Sequence, residues 1–425
     1  MRTRATLIGL VLGMGASLHA QAETLTVCAK GCDYSSINAA IADAADGDII
    51  QLGAETYLET ATVDTLGKSI EVRGTLDAER QPTSILDGSS FSGTVLRVQT
   101  SPEPVVLEGL LIRNGNGSFR GGGIDATNAA IHMSDCVVEQ CTAPYGGGIH
   151  LGLDPEFIYL PPSTVRRSTF RNNSSQHWCE TFTRPANPKT GLPSEPHLVE
   201  DCTFLNSSSY HGGVLSGGTT FLRCRFAGSS GTLAEAGIFS SNTSIQDCVF
   251  EDHSGGATLG SVGSVGPYTG VTITHCLFRN NSGTQLVYPG GSDAVLTGSL
   301  FCDTGTLYND AVTDGGGNLE FASCPFDDCN ENGIDDILEI ALDPAITDED
   351  QNWIPDCCEA PACPGDVTND GEVDAADLGI LLAVFGTDGS AVEGTDLNDD
   401  SAVDASDLGL LLGYWGLCPE PDGCD

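Results

Sequence analysis

The chain has 425 residues, and 59 Asp and Glu against 17 Lys and Arg give it a formal charge of −42 at neutral pH. Phosphate binding requires a basic surface, so this balance argues against nucleic acid as a partner and for cations. The 17 cysteines suit an oxidising compartment, while a chain of this length buries a core too large for a small disulfide scaffold.

The first element in chain order is a short basic start, Met1 to Arg4, followed by an apolar run from Ala5 to Leu18 and then Ala20-Gln21-Ala22. This order predicts a secretory signal over 1–22 and a secreted or cell-surface protein. No later stretch approaches about twenty apolar residues, so no membrane span is predicted. Cys28 and Cys32 are placed to close a small loop. Tyr34 to Ala44 carries Ile37 and Ile41 at helical spacing, with Ser35 or Ser36 as cap, ahead of the strand-like Ile49-Ile50-Gln51-Leu52.

From residue 23 to about 326 the chain repeats short phrases. Cys202-Thr203-Phe204, Cys224-Arg225-Phe226, Cys248-Val249-Phe250 and Cys276-Leu277-Phe278 recur, with Ser168-Thr169-Phe170 and Ser299-Leu300-Phe301 as serine versions. Cys and Phe two residues apart lie on one side of a strand, here the inner side. The repeats begin 22 to 34 residues apart, one strand-rich coil each. The Asn after Phe170, Phe204 and Phe278 suits a left-handed turn, and Gly121-Gly122-Gly123, Gly146-Gly147-Gly148 and Gly212-Gly213 supply tight corners. The cysteine column reads as small buried hydrophobes, with rung-to-rung disulfides as the alternative.

These phrases resemble right-handed parallel β-helix proteins of the pectate-lyase-like group, and the repeats of polymorphic outer-membrane passenger domains. The resemblance implies a mainly β solenoid over 23–326, closed at its N-terminal end by the Ile37 helix.

Beyond residue 326 the rules change. From Asp327 to the last residue there are 27 Asp or Glu and neither Lys nor Arg. Asp366, Thr368, Asp370, Asp374 and Asp377 fall at positions 1, 3, 5, 9 and 12 of a twelve-residue loop with Gly371 at position 6. Asp396, Asn398, Asp400, Asp404 and Asp407 repeat it thirty residues on, with Ser401 at position 6. Glu372 and Ala402 take position 7, where such loops present a backbone carbonyl to calcium. Each loop runs into an apolar helix-like segment. The pair resembles a type I dockerin, which implies Ca2+ as cofactor and a cohesin-like partner. Cohesin-binding dockerins usually carry hydroxyl residues at positions 10 and 11 and basic residues on the helices. This chain has Ala375-Ala376 and Ala405-Ser406, and both helical segments lack Lys and Arg.

Upstream, Asp328, Asn330, Asn332, Asp336 and Glu339, then Asp348, Asp350, Asn352, Asp356 and Glu359, fit the same ligand spacing. They resemble thrombospondin type 3 calcium repeats, with Cys329, Cys357, Cys358 and Cys363 as staples. The expected organisation is a signal over 1–22, a β-helix over 23–326, a calcium-repeat linker over 327–362 and a small helical dockerin-like domain over 363–418.

No motif selects a catalyst. The densest basic and aromatic region runs from Arg166 to His197, and it nominates Arg171, His177, Trp178, Arg184 and Lys189 for contact with an acidic polysaccharide. The plainer reading of Arg166 and Arg171 is coil residues pairing with abundant acids. Two functions compete. One is a calcium-binding β-helix protein for glycan or cell-surface attachment. The other is a polysaccharide lyase or glycoside hydrolase carried by a dockerin-like module.

Overall fold

The computed structural model describes residues 22–417 except 153–160, 178, 184–195, 211–212, 231–233, 241, 254–256, 261–269, 288–293, 307–311, 325–327, 330–333, 344, 349–351, 357, 359–362, 369, 390–391, 393 and 399. The signal sequence therefore lies outside the described residues, apart from Ala22.

Among the described residues three long parallel sheets, of twelve, nine and eleven strands, run the length of the β-helix. The chain visits one strand of each in turn and then climbs to the next coil, so equivalent residues stack. In the eleven-stranded sheet Phe170, Phe204, Phe226, Phe250, Phe278 and Phe301 form a fully buried ladder. Neighbouring rings are nearly parallel, with centroids 5.1, 4.8, 4.8, 4.9 and 4.7 Å apart. That spacing is the strand separation itself, so the sheet ladder and the ring stack fit one repeat.

The cysteine column lies beside this ladder, and Cys136, Cys202, Cys224, Cys248 and Cys276 are free thiols buried in the core. The Cys224 amide donates to the Cys248 sulfur (3.3 Å), and where a coil carries serine instead, the Cys136 and Cys276 amides donate to the hydroxyls of Ser168 and Ser299. Disulfides join Cys28 to Cys32, Cys302 to Cys324 and Cys329 to Cys358.

The corners explain the asparagines. Asn172, Asn206 and Asn280 adopt φ of 54°, 51° and 50°, a left-handed turn that Asn tolerates. The second Asn of each Asn-Asn pair turns inward. Asn173 accepts from the Cys141 amide (3.0 Å) and donates to the Val138 carbonyl (3.1 Å), while Asn281 does the same for His253 and Phe250.

The preceding corner carries a column of acidic and basic side chains in the same left-handed conformation: Asp135, Arg167, Asp201, Arg223, Asp247 and His275. Arg167 bridges Asp135 at 2.7 Å, Arg223 bridges Asp201 at 2.7 Å and His275 meets Asp247 at 2.9 Å. A second column pairs Arg171 with Glu139, and both Arg225 and Arg279 with Glu251.

At the N-terminal end, helix α1 (Ile37–Asp43) covers the open coil by burying Ile37, Ala40 and Ile41. Ser36 caps it by accepting from the Ala39 amide, and Lys68 Nζ donates to the carbonyls of Ile41, Ala42 and Ala44 at its other end. A covering helix protects what would otherwise be an exposed sheet edge.

The segment expected to act as a linker packs on the β-helix. Helix α2 (Asp336–Leu342) buries Ile337, Ile340 and Ala341 in one apolar cluster with Val249, Leu277, Leu300 and Trp353. Arg279 reaches Asp335 (3.6 Å), and the Trp353 ring stacks on His275 with centroids 4.5 Å apart. Helices α3 (Ala375–Ala383) and α4 (Ala405–Gly413) share a separate small core of Val373, Leu381, Val403 and Leu411. Among the described residues no helix is long and apolar enough to cross a membrane.

Candidate functional site

The two C-terminal loops have one geometry. Asp366 accepts the amides of Asp370 (3.2 Å) and Gly371 (2.9 Å), and Asp396 accepts those of Asp400 (3.2 Å) and Ser401 (2.7 Å). At position 5, Asp370 and Asp400 accept the amides of Glu372 and Ala402. Each loop then enters its helix through a capping box, Asp374 with Asp377 and Asp404 with Asp407. Position 6 turns with φ of 89° at Gly371 and 68° at Ser401, so serine bears a strain that glycine avoids.

Asp377 and Asp407 are fully buried in these loops. Burial alone would raise the pKa of Asp377, but the amides of Asp374 and Thr368 and the Thr368 hydroxyl hold it below the usual value. Asp407 is held down likewise against its burial, by the amides of Asp404 and Leu397. Each loop thus gathers ionised carboxylates around a tight turn, with Thr368 or Asn398 as a further oxygen donor. An all-oxygen anionic donor set of this kind fits Ca2+. Glu372, at position 7, is exposed and its strand pairs with Gly416–Leu417; loops of this type use the backbone carbonyl at that position.

The second upstream loop follows the same plan. Asp348 accepts the amides of Asn352 (3.0 Å) and Trp353 (3.0 Å), and Asn352 accepts that of Ile354 (2.7 Å). Trp353 stands at position 6 with φ of 67°, held there by burial and by its stack on His275. Asp356, at position 9, donates its amide to the Thr347 carbonyl.

The first upstream loop departs from the plan. Its helix is capped by Asp335, and Asp336, at position 9, reaches back to accept from the Cys329 amide near the loop start, where Asp328 lies. Glu339 is buried on α2. Asn330, Asn332, Asp350 and Glu359 lie outside the described residues.

The other nominated site is divided. Arg171 sits on a strand and is held by Glu139 (2.7 Å), while Arg166 is held by Glu200 (2.8 Å). His177 instead occupies a corner, stacked on Tyr145 with ring centroids 4.4 Å apart. Trp178, Arg184 and Lys189 lie outside the described residues. Sequence reasoning missed the corner groove beside His177. It has a volume of about 430 Å3 and is lined by Asn116, Thr142, Ser174 and Gln176 among others. Each lining segment precedes an aromatic residue by a few positions, a signal visible only once the coils are in register.

Comparison with known proteins gives two domain identities. Residues 364–415 match the dockerin type I domain, and residues 214–335 match the right handed beta helix region. Among curated proteins no sequence matches the chain. Of solved structures, the chain is similar to Geobacillus virus E2 ORF18 at 14% identity, with a TM-score of 0.47, covering 65% of this chain and 56% of that one. The chain thus spans little more than half of that protein's length. It is similar to pectate lyase Pel9A at 14% identity and TM-score 0.39, covering 70% and 80% of the two chains. It is also similar to the pectin methylesterase from Aspergillus niger at 12% identity and TM-score 0.27, covering 76% and 94%. The chain therefore carries a dockerin type I domain beside a β-helix.

Proposed function

We propose that this is an exported calcium-binding attachment protein, whose β-helix contacts a glycan or cell surface and whose dockerin domain binds a cohesin-like partner. One observation carries the reading: the thirty-residue repeat is faithful in space both at the metal loops and on the exposed face. Val373 and Leu381 are buried as Val403 and Leu411 are, while Leu382 and Phe385 are exposed as Leu412 and Trp415 are. An exposed apolar set that recurs by internal symmetry suits partner docking. Because both helices lack Lys and Arg, the partner contact would be apolar rather than ionic.

The rival reading, a polysaccharide lyase, requires a basic residue available to take a proton beside a uronate carboxylate. Among the described residues Arg166, Arg167, Arg171, Arg223, Arg225 and Arg279 are each held in an ion pair, so none of these six is free for that step.

Position 1 supplies a direct ligand, and each loop closes its own hydrogen-bond set. Asp366→Ala and Asp396→Ala should therefore each remove one bound Ca2+ and leave the other in place. Native mass spectrometry counts the ions. Unchanged stoichiometry in both variants would refute the calcium role of these loops.

A further inference from the structure

We propose that the corner groove beside Phe119, Tyr145 and His177 is a binding site for a neutral, uncharged glycan. The proposal rests on the glycan-binding reading above, and it names the place and the ligand class.

Three successive coils build the groove. Asn116 bridges to Thr142, and the strand Thr142–Ala143 pairs with Ser174–Ser175. Their lining is uncharged: amides from Asn116 and Gln176, hydroxyls from Thr142 and Ser174, and backbone. A volume of about 430 Å3 lies within the range of small-ligand sites, so part of a sugar chain fits.

The same three segments run on into three aromatic rings. Phe119 meets Tyr145 edge to face at 5.4 Å, and Tyr145 stacks on His177 at 4.4 Å. Backbone hydrogen bonds fix these positions, since the Tyr145 amide donates to the Phe119 carbonyl and the His177 amide to the Pro144 carbonyl. Phe119 remains 56% exposed. Tyr145 and His177 are half-buried beside it, so the three rings form one contiguous patch open to solvent at the groove's border. Aromatic faces and edges offer the C–H surfaces of a sugar ring apolar contact, and the adjacent amides and hydroxyls can meet its hydroxyl groups.

Charge selects the class. With no ionisable side chain among the residues lining the groove, the adjacent Arg120 guanidinium placed over the Phe119 ring at 5.1 Å, and a formal charge of −42 on the chain, an oligouronate approaches against the field and meets an uncharged lining. A neutral glycan suffers no such penalty.

The test uses the full calcium-loaded chain in calorimetric titrations with neutral hexose and pentose oligosaccharides and, separately, with oligouronates. Neutral sugars should bind, and Phe119→Ala and Gln176→Ala should each weaken binding by about tenfold. Both side chains are exposed, so the melting temperature should stay at the wild-type value. Binding of neutral sugars that both variants retain would overturn the groove while leaving glycan binding in place. Preference for oligouronates would overturn the ligand class. Absence of binding to either panel would overturn this proposal together with the glycan reading.

Discussion

Glu180 occupies an inward position of the nine-stranded sheet, in register between Ile149 and Val214, where its neighbours on the stack are aliphatic. It is fully buried, and one carboxyl oxygen accepts from the Asn173 amide nitrogen at 2.9 Å. Burial, opposed by that hydrogen bond, pushes its pKa from the usual 4.5 up to about 8. Below 4.5 the group is neutral in the folded and the unfolded chain. Between 4.5 and 8 the unfolded chain releases the proton while the folded chain keeps it, so folding stability falls as pH rises through this window. The slope is about 1.4 kcal/mol per pH unit for a full proton difference. Glu180→Gln keeps the shape and the partner for Asn173 but removes the titration. Urea unfolding at about pH 5 and about pH 9 should therefore show the variant gaining on the wild type at the higher pH. A parallel response of the two proteins would assign the alkaline loss elsewhere.

At the scale of single elements, the phenylalanine ladder sets how firmly one coil holds the next. Phe226 stacks on Phe204 and Phe250, so Phe226→Ala opens a cavity and deprives both of those rings of a stacking partner. The expected cost is about 4 kcal/mol, read from denaturant unfolding. Phe301 has a ring neighbour at Phe278, and its equivalent position in the next strand is Glu320, so Phe301→Ala should cost less. Equal costs would mean that the stack contributes little beyond burial. This ladder was legible in the sequence because Phe two residues after Cys or Ser states both the strand period and the inner face. The two C-terminal loops were legible because their acidic and amide side chains are local, all within twelve residues. The corner groove was not, because Phe119, Tyr145 and His177 belong to different coils of unequal length. The docking of Trp353 on His275 was hidden because the two lie nearly eighty positions apart, in a coil and in the segment that follows the coils, and the buried Glu180 because a glutamate in a strand reads as facing water.

On the scale of the whole molecule, the apolar ladder and the charge column carry different information. Any phenylalanine can stack on any other, so the core treats all coils as equivalent. From Asp135 through Arg167, Asp201 and Arg223 to Asp247 the column alternates in sign, and over this stretch it distinguishes odd coils from even ones. The β-helix thus has a period of one coil inside and two coils at this corner. Evolution or engineering that gains or loses coils meets a parity rule, because removing one coil sets like charges against each other and removing two does not. In the full-length chain Arg223→Asp creates a run of three acids with Asp201 and Asp247 and should lower the melting temperature. In a chain lacking residues 201–222, Arg223 would instead follow Arg167, and the same substitution should leave the melting temperature nearly unchanged, because it exchanges a like-charge contact with Arg167 for one with Asp247. A substitution that is costly or nearly neutral according to how many coils precede it shows that the fold keeps count through its surface.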